Sequence, residues 1–464
     1  MERQQVVQPH RKRCKIVDSN VKRVINPEAP FLLPLLENGE QDCACGRESA
    51  YCLPYPSVES LQFSLFKPFY HAELGNGYSI FYNPLSLYPP WILNPTARIF
   101  LEDSLNSHHS NFSSPIPHPP REFTIWLALT FNCNLRCRYC YVELSRSNMA
   151  EEEGKKAIDW AIRNLQKKGM TSLKIKYAGG EPLLCFDLLK NLHEYARRTA
   201  KEKGLAIKEI ILTNGTLLKQ ETISFLQGEG IALMISLDSL GWAQGFLRPL
   251  ADGGDSLPQV LRTIEIALKE NCQLFLSTTV TSVNFREIPG LVNFAMELGV
   301  PLSLNLYRFT ERSNQLQPPT GELIKVLREA GGIVRKHLNL KGGPVPTMDL
   351  LHLARPSPYP CQAGFTFFAL GPNGAFASCP MLLKERVRNL CTFALIDADE
   401  HCRECNWRYL CGGGCPLLKS THYYCKVYRE IIPLWLELEG LATIRSLRER
   451  FENKREYNFV RLNL

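Results

Sequence analysis

Cys133, Cys137 and Cys140 lie in the run LTFNCNLRCRYCY, a C-x3-C-x2-C triplet that follows an apolar, strand-like segment. Thiols this close in sequence cannot be shared among three separate elements, so they converge on one loop. Converging thiolates are soft ligands that suit an iron–sulfur cluster or a zinc ion. A closed structural zinc site takes four protein ligands, commonly as two C-x2-C pairs. A three-ligand loop leaves one metal position for a cofactor or a substrate.

With Tyr139 just before its third cysteine, the triplet resembles the signature of radical S-adenosylmethionine (SAM) enzymes. The resemblance implies a [4Fe-4S] cluster on these three thiolates, with SAM chelated at the open iron through its amino and carboxylate groups. It also implies reductive cleavage of SAM and a 5′-deoxyadenosyl radical that abstracts hydrogen from a substrate. The residues alone leave a zinc or structural cysteine loop open.

Around the triplet the chain reads as alternating strands and helices. Apolar β-rich runs fall at 124–130, 172–177, 207–213, 231–237, 274–280 and 302–307, with helical patterns near 150–168, 186–203, 219–228, 257–270, 288–298 and 322–338. Six strand–helix units imply an α/β fold with a parallel sheet and right-handed crossovers. Six rather than eight argues for a partial (β/α)6 barrel, which is the form of the resembled family. In such folds the site lies at the carboxyl ends of the strands, where the triplet sits. The second strand ends in Gly179-Gly180-Glu181-Pro182, whose glycines permit close backbone approach to a ligand. By resemblance this segment holds the SAM amino group. Thr213-Asn214-Gly215 ends the third strand. Ser236-Leu237-Asp238 ends the fourth, with Arg248 ten residues later. The resemblance gives Ser236 and Arg248 contacts to the SAM ribose or carboxylate, against a bland reading as a cap and a surface charge.

The last third carries Cys361, Cys379, Cys391, Cys402, Cys405, Cys411, Cys415 and Cys425. Seven of them follow C-x12-G-x4-C and then C-x2-C-x5-C-x3-C before a final cysteine, with Gly374 in place. This pattern resembles the SPASM extension of radical SAM enzymes, which holds auxiliary iron–sulfur clusters. By that resemblance Cys402, Cys405, Cys411 and Cys425 hold a distal auxiliary cluster, and Cys361, Cys379 and Cys415 hold one nearer the barrel. The nearer cluster is one cysteine short, so either an iron is open or Cys391 or another group completes it. For Cys402–Cys415 alone a zinc ribbon is the alternative. Cys185 and Cys272 read as small buried hydrophobes.

The 464 residues exceed one ordinary domain. We expect an irregular basic arm over 1–60, a small module over 61–105, a linker over 106–120, the partial barrel over 121–340, the cysteine-rich domain over 355–430 and a C-terminal helix over 431–464. In the module, SIFY reads as a strand and WILNPTARIF as a turn leading into a helix. The phrase ILNPTARIF resembles part of the winged-helix modules that bind leader peptides. Cys43, Cys45 and Cys52 have no obvious fourth ligand. With 45% apolar and 22% charged residues, no long apolar run and no secretory signal, the chain reads as cytoplasmic and off the membrane. The net charge of +8 is concentrated in the first 23 residues, and no nucleic-acid recognition motif accompanies it.

These features point to a peptide- or protein-modifying enzyme, foremost one that cross-links a precursor peptide, fed by a flavodoxin- or ferredoxin-type electron donor. A sulfatase-maturing activity is disfavoured, because the resembled enzymes carry an Asp after the second SPASM cysteine and here Pro380 follows Cys379. A small-molecule radical SAM enzyme and a non-catalytic iron–sulfur or zinc scaffold are the alternatives.

Overall fold

The structure, a computed structural model, describes residues 32–34, 70–75, 78–82, 91–93, 122–308, 315–353, 356–383, 388–389, 395–418 and 422–461. Its centre is a ten-stranded sheet. Six parallel strands run in sequence order as neighbours: β5 (Glu122–Thr130), β6 (Ser172–Gly179), β7 (Ala206–Thr213), β8 (Ala232–Ser236), β9 (Leu274–Val280) and β10 (Leu302–Leu306). Between them lie α1 (Glu151–Lys167), α2 (Phe186–Glu202), α3 (Gln220–Gly228), the short α4 (Trp242–Leu247), α5 (Leu257–Lys269) and α6 (Ile288–Leu298); α7 (Thr320–Leu340) follows β10. Each expected strand and helix of the barrel forms within a few residues of its sequence bounds.

Period-two burial sorts the strand residues. Phe123, Ile125 and Leu127 of β5, Leu173, Ile175 and Tyr177 of β6 and Leu233 and Ile235 of β8 are fully buried against the helices. The alternate row carries Trp126, Lys174, Lys176 and Ser236, which are less buried and line the inner face. Lys176 pairs in register with Trp126 and approaches the Phe367 ring at 5.8 Å. Burial pulls its ammonium down to about 8.

Four short strands lengthen the sheet beyond the six. β11 (Thr347–Met348) adds parallel to β10, and β12 (Phe367–Leu370) adds parallel to β5, with Phe367 opposite Thr124. β13 (Phe376–Ala377) and β14 (Arg388–Asn389) follow at that edge. The cysteine-rich region is therefore attached to the strand that feeds the cysteine triplet. Phe368 anchors the joint by stacking on Phe123 at 5.7 Å and meeting Trp160 edge-on at 5.0 Å.

A second, antiparallel sheet has the order β1 (Leu32–Pro34), β4 (Trp91–Leu93), β3 (Tyr78–Tyr82) and β2 (Tyr70–Gly75). SIFY is a strand as expected. Two expectations fail here. Residues 32–34 form a strand inside the stretch read as irregular. Trp91-Ile92-Leu93 is a strand, not a turn, because it pairs with β1 and β3 at once, and pairing that distant leaves no local mark. Residues 94–100, the rest of the basic arm, the linker and Cys43, Cys45 and Cys52 lie outside the described residues.

Two short helices, α8 (Glu400–Arg403) and α9 (Arg408–Cys411), precede α10 (Cys425–Arg461), so the final helix begins on a cysteine. It packs closely on α7, where a Cβ at Gly331 would stand 2.5 Å from a Leu434 methyl group. It also meets the small sheet: a Cβ at Gly440 would stand 2.6 Å from Leu74. Beside that contact Glu439 is desolvated, which pushes its carboxyl up to about 7. A raised carboxylate pKa favours the folded state below the unfolded value and loses that advantage as pH climbs through the folded one. Glu439→Gln should thus flatten the decline in stability between pH 5 and pH 8, a decline of roughly 3 kcal/mol from this group. Urea unfolding at the two pH values measures it. No described helix is long and apolar enough to cross a membrane.

Candidate active site

Chain turns at the carboxyl ends of β5 to β8 build the site. The cysteine loop is pinned by backbone bonds to the segment after α4: Arg136 N–H donates to Pro249 O (2.8 Å), Arg138 N–H to Leu247 O (2.9 Å) and Ala251 N–H to Asn134 O (2.9 Å). On its other side Gly180 N–H donates to Thr130 O (2.7 Å) and Glu181 N–H to Asn132 O (2.9 Å). The glycines are required by proximity. A Cβ at Gly179 (φ +142°) would lie 2.3 Å from Thr130 O, and one at Gly180 would lie 2.1 Å from Asn132 O. Pro182 is buried at the start of the following helical turn.

Three donors converge on the thiols. Leu135 N–H points at Cys133 Sγ (3.4 Å), Asn214 Nδ2 lies 3.9 Å from the same sulfur, and Arg248 Nη1 lies 3.8 Å from Cys137 Sγ. Burial pushes the Cys137 thiol up to about 12, opposed by Arg248 and reinforced by Cys140 and Cys133. Cys133 and Cys140 are raised by burial as well. None of the described cysteines is in a disulfide. Half-buried thiols that share a loop and face N–H donors fit a thiolate-bound cluster, whose binding displaces their protons.

The remaining expected residues divide into open and inward-facing groups. Ser236 ends β8 on the inner face, half-buried. Glu181 is fully buried and accepts from Thr213 Oγ1 (2.7 Å), Asn214 N–H (2.8 Å) and Leu183 N–H (3.2 Å). Burial pushes it up to about 7 against those three bonds. Arg248 is not a surface charge. Its Nε donates to the fully buried Asp238 at 2.8 Å, Asp238 also accepts from Tyr139 Oη, and Thr279 N–H closes the set at 2.8 Å. Tyr139 and Arg248 thus form a brace beneath the loop.

The C-terminal cysteines form two groups. Cys379 is pushed up to about 12 by burial, with Cys415 and Cys361 both contributing. Cys411 is likewise pushed up to about 12 by burial, with Cys405, Cys425 and Cys402 contributing. The turn between the groups, Gly412-Gly413-Gly414, has φ of +69°, +71° and +88°, a run that side chains rarely adopt. A Cβ at Gly412 would lie 2.9 Å from both His352 Nε2 and Pro360 O. Cys391 lies outside the described residues. Cys272 is buried and Cys185 half-buried, both raised by desolvation.

Three features escape sequence reading. Tyr141, 36% exposed, sits between the systems, with the Cys379 and Cys140 thiols both acting on its phenol. A cleft lined by Trp126, Phe131, Tyr141, Gly179, Pro380 and Leu383 joins the first loop to the residue after Cys379. Arg308, paired with half-buried Asp349, places a cation near Cys415 and Cys379. Arg308 and Asp349 carry no motif, and only the triplet and GGEP hinted at the cleft's location.

Residues 127–295 match the Radical SAM superfamily. An uncharacterized protein of Archaeoglobus fulgidus is 25% identical over 362 residues, covering 70% of this chain and 83% of its own length. A GTP 3′,8-cyclase of Clostridium perfringens is 26% identical over 225 residues, 47% of this chain and 66% of its own. Among solved structures, anSMEcpe with bound AdoMet and Cp18Cys peptide covers 70% of this chain and 99% of its own at 21% identity, with a TM-score of 0.55. That likeness is one of fold.

Proposed function

We propose, from the premise that this chain carries a radical SAM domain, that it modifies a peptide or protein substrate, forming an intrapeptide cross-link during ribosomal peptide maturation. The observation that carries this reading is that the two cysteine systems adjoin: Phe131 and Tyr141 of the first loop line one small crevice with Pro380, the residue after Cys379. A substrate seated over that junction would face the first loop on one side and the Cys379 turn on the other.

The superfamily's cofactors are a [4Fe-4S] cluster and SAM, and the donor set fits them. When bound, they supply one-electron cleavage of SAM and hydrogen abstraction from the substrate. Cys133, Cys137 and Cys140 would hold the cluster. Asn214 and Arg248 steady two of the sulfurs, and Tyr139 and Asp238 hold Arg248 in place. Because the Glu181 carboxylate is occupied within the protein, the backbone of Gly179 and Gly180 is left as the open face of that motif for the SAM amino group. Ser236 offers its hydroxyl from the inner face. Cys402, Cys405, Cys411 and Cys425 would hold the distal auxiliary cluster, and Cys361, Cys379 and Cys415 the nearer one. Arg308 offsets the thiolate charge there. Cross-linking removes two hydrogens from the substrate, and clusters held by these cysteines would supply electron-accepting chemistry for it.

A peptide-bound structure of similar fold supports the peptide substrate, while the GTP cyclase relative supports a small molecule. Truncating the first 120 residues would not separate these readings, because Tyr82 and Leu74 pack on the body of the protein. Substrate assays do separate them. Loaded enzyme, SAM and a precursor peptide encoded beside the gene should give a product lighter by two hydrogens. Turnover of a nucleotide with no change in any such peptide would sink the peptide reading. The zinc alternative has its own observation: Asp399, Cys402 and His422 offer ligand atoms within 4.8 Å of one another. Metal analysis distinguishes that case.

A further inference from the structure

The inner row of β5 to β10 carries three lysines and one carboxylate: Lys174 and Lys176 of β6, Lys208 of β7 and Glu122 of β5. Glu122 takes two of the three, at 3.1 Å from Lys208 Nζ and 3.8 Å from Lys174 Nζ. Lys176 is the one left over. Its ammonium meets no carboxylate and no hydrogen-bond acceptor among the described residues.

Its setting is apolar. The in-register neighbours of Lys176 are Trp126 on β5 and Ile210 on β7. The Phe367 ring, 5.8 Å from Nζ, stands at the far edge of cation–π range. A half-buried ammonium among such side chains without a counter-charge is unfavourable, and folds retain such groups where function needs them. The location suits a substrate contact. Trp126 also lines the crevice shared with Phe131 and Tyr141 of the first cysteine loop, so Lys176 borders the space where a substrate would react.

We propose that Lys176 is a substrate-binding residue that takes a carboxylate of the peptide, an Asp or Glu side chain or the C-terminus, and seats it beside Trp126 and Phe367. The inference rests on the peptide reading given above and adds to it a requirement for negative charge. Lys174 and Lys208 share Glu122, which leaves Lys176 as the lysine of this row free to select that charge.

The test is a set of Kd measurements by fluorescence anisotropy on full-length, anaerobically reconstituted enzyme with SAM, at equal iron content. The probes are the precursor peptide encoded beside the gene, its C-terminal amide, and versions with each Asp or Glu changed singly to Asn or Gln. Lys176→Met should weaken binding of the natural peptide by about 10- to 100-fold. One neutralised peptide should lose as much against the wild type. Lys176→Met should then tell that peptide from the natural one by no more than about threefold. Loss with the amide alone identifies the C-terminus, and loss with one Asn or Gln peptide identifies that side chain. The Met variant should also withstand at least as much urea as the wild type, since it removes an unpaired charge. Earlier unfolding would make Lys176 a structural residue and overturn the proposal. A wild type that binds and modifies every neutralised peptide as it does the natural one overturns the proposal alone, whatever the variant does. A wild type that binds no such peptide and turns over a nucleotide overturns it together with the peptide reading.

Discussion

Arg248→Met is expected to destabilise the protein by about 3–5 kcal/mol, the usual cost of stripping one partner from a buried ion pair. Asp238 is fully buried. Without the guanidinium 2.8 Å away its charge is left with two neutral donors, Tyr139 Oη and Thr279 N–H. The effect should extend to the cluster. Arg248 Nη1 is 3.8 Å from Cys137 Sγ, and removing a cation from a thiolate cluster lowers its potential. Denaturant unfolding of the apoprotein reads the first effect and a redox titration the second. The double variant Arg248→Met/Asp238→Asn should recover part of the lost stability, since it removes the orphaned charge as well. A double variant as unstable as the sum of its singles would show that the pair is not coupled.

Glu181→Ala should cost a similar amount, about 3–5 kcal/mol, by leaving three donors unmet where no water reaches. Thr213 Oγ1, Asn214 N–H and Leu183 N–H all converge on this carboxylate. Asn214 in turn aims its amide at Cys133 Sγ, so the variant should bind iron poorly as well as unfold early. Glu181→Gln keeps the shape but turns an amide N–H toward a donor, and it should fall between wild type and Ala. Thermal unfolding and iron content measure both variants. An Ala variant with normal stability that fails only in SAM binding would contradict this structural role and favour a direct contact between Glu181 and SAM.

The barrel was legible because its signals are local. Six β-rich runs spaced by helical patterns set the strands, and the parallel order follows from crossover geometry. The cysteine triplet was legible for the same reason, since C-x3-C-x2-C is a short-range pattern, whereas the division of the C-terminal cysteines into two groups came from the family resemblance and not from spacing. Contacts made across the chain left no such trace. Nothing in FTFFAL says that Phe367 pairs beside Thr124, yet that pairing carries the Cys379 turn to the cleft. Arg308 and Asp349 are forty-one residues apart and carry no motif. Tyr82 reads as one more alternating strand residue until its hydroxyl is found without a partner. Glu181 shows the converse limit: the motif's place at the end of β6 was legible, but not the burial of its carboxylate, which is turned to Thr213, Asn214 and Leu183.

The most direct test reconstitutes the protein anaerobically with iron and sulfide, adds SAM and dithionite, and assays metal content and 5′-deoxyadenosine beside Cys137→Ala. Three four-iron sites predict about twelve iron atoms per chain, with 5′-deoxyadenosine formed by the wild type and absent from the variant. Zinc in place of iron, or a fully iron-loaded protein that yields no 5′-deoxyadenosine, would contradict the account and leave a metal-binding scaffold.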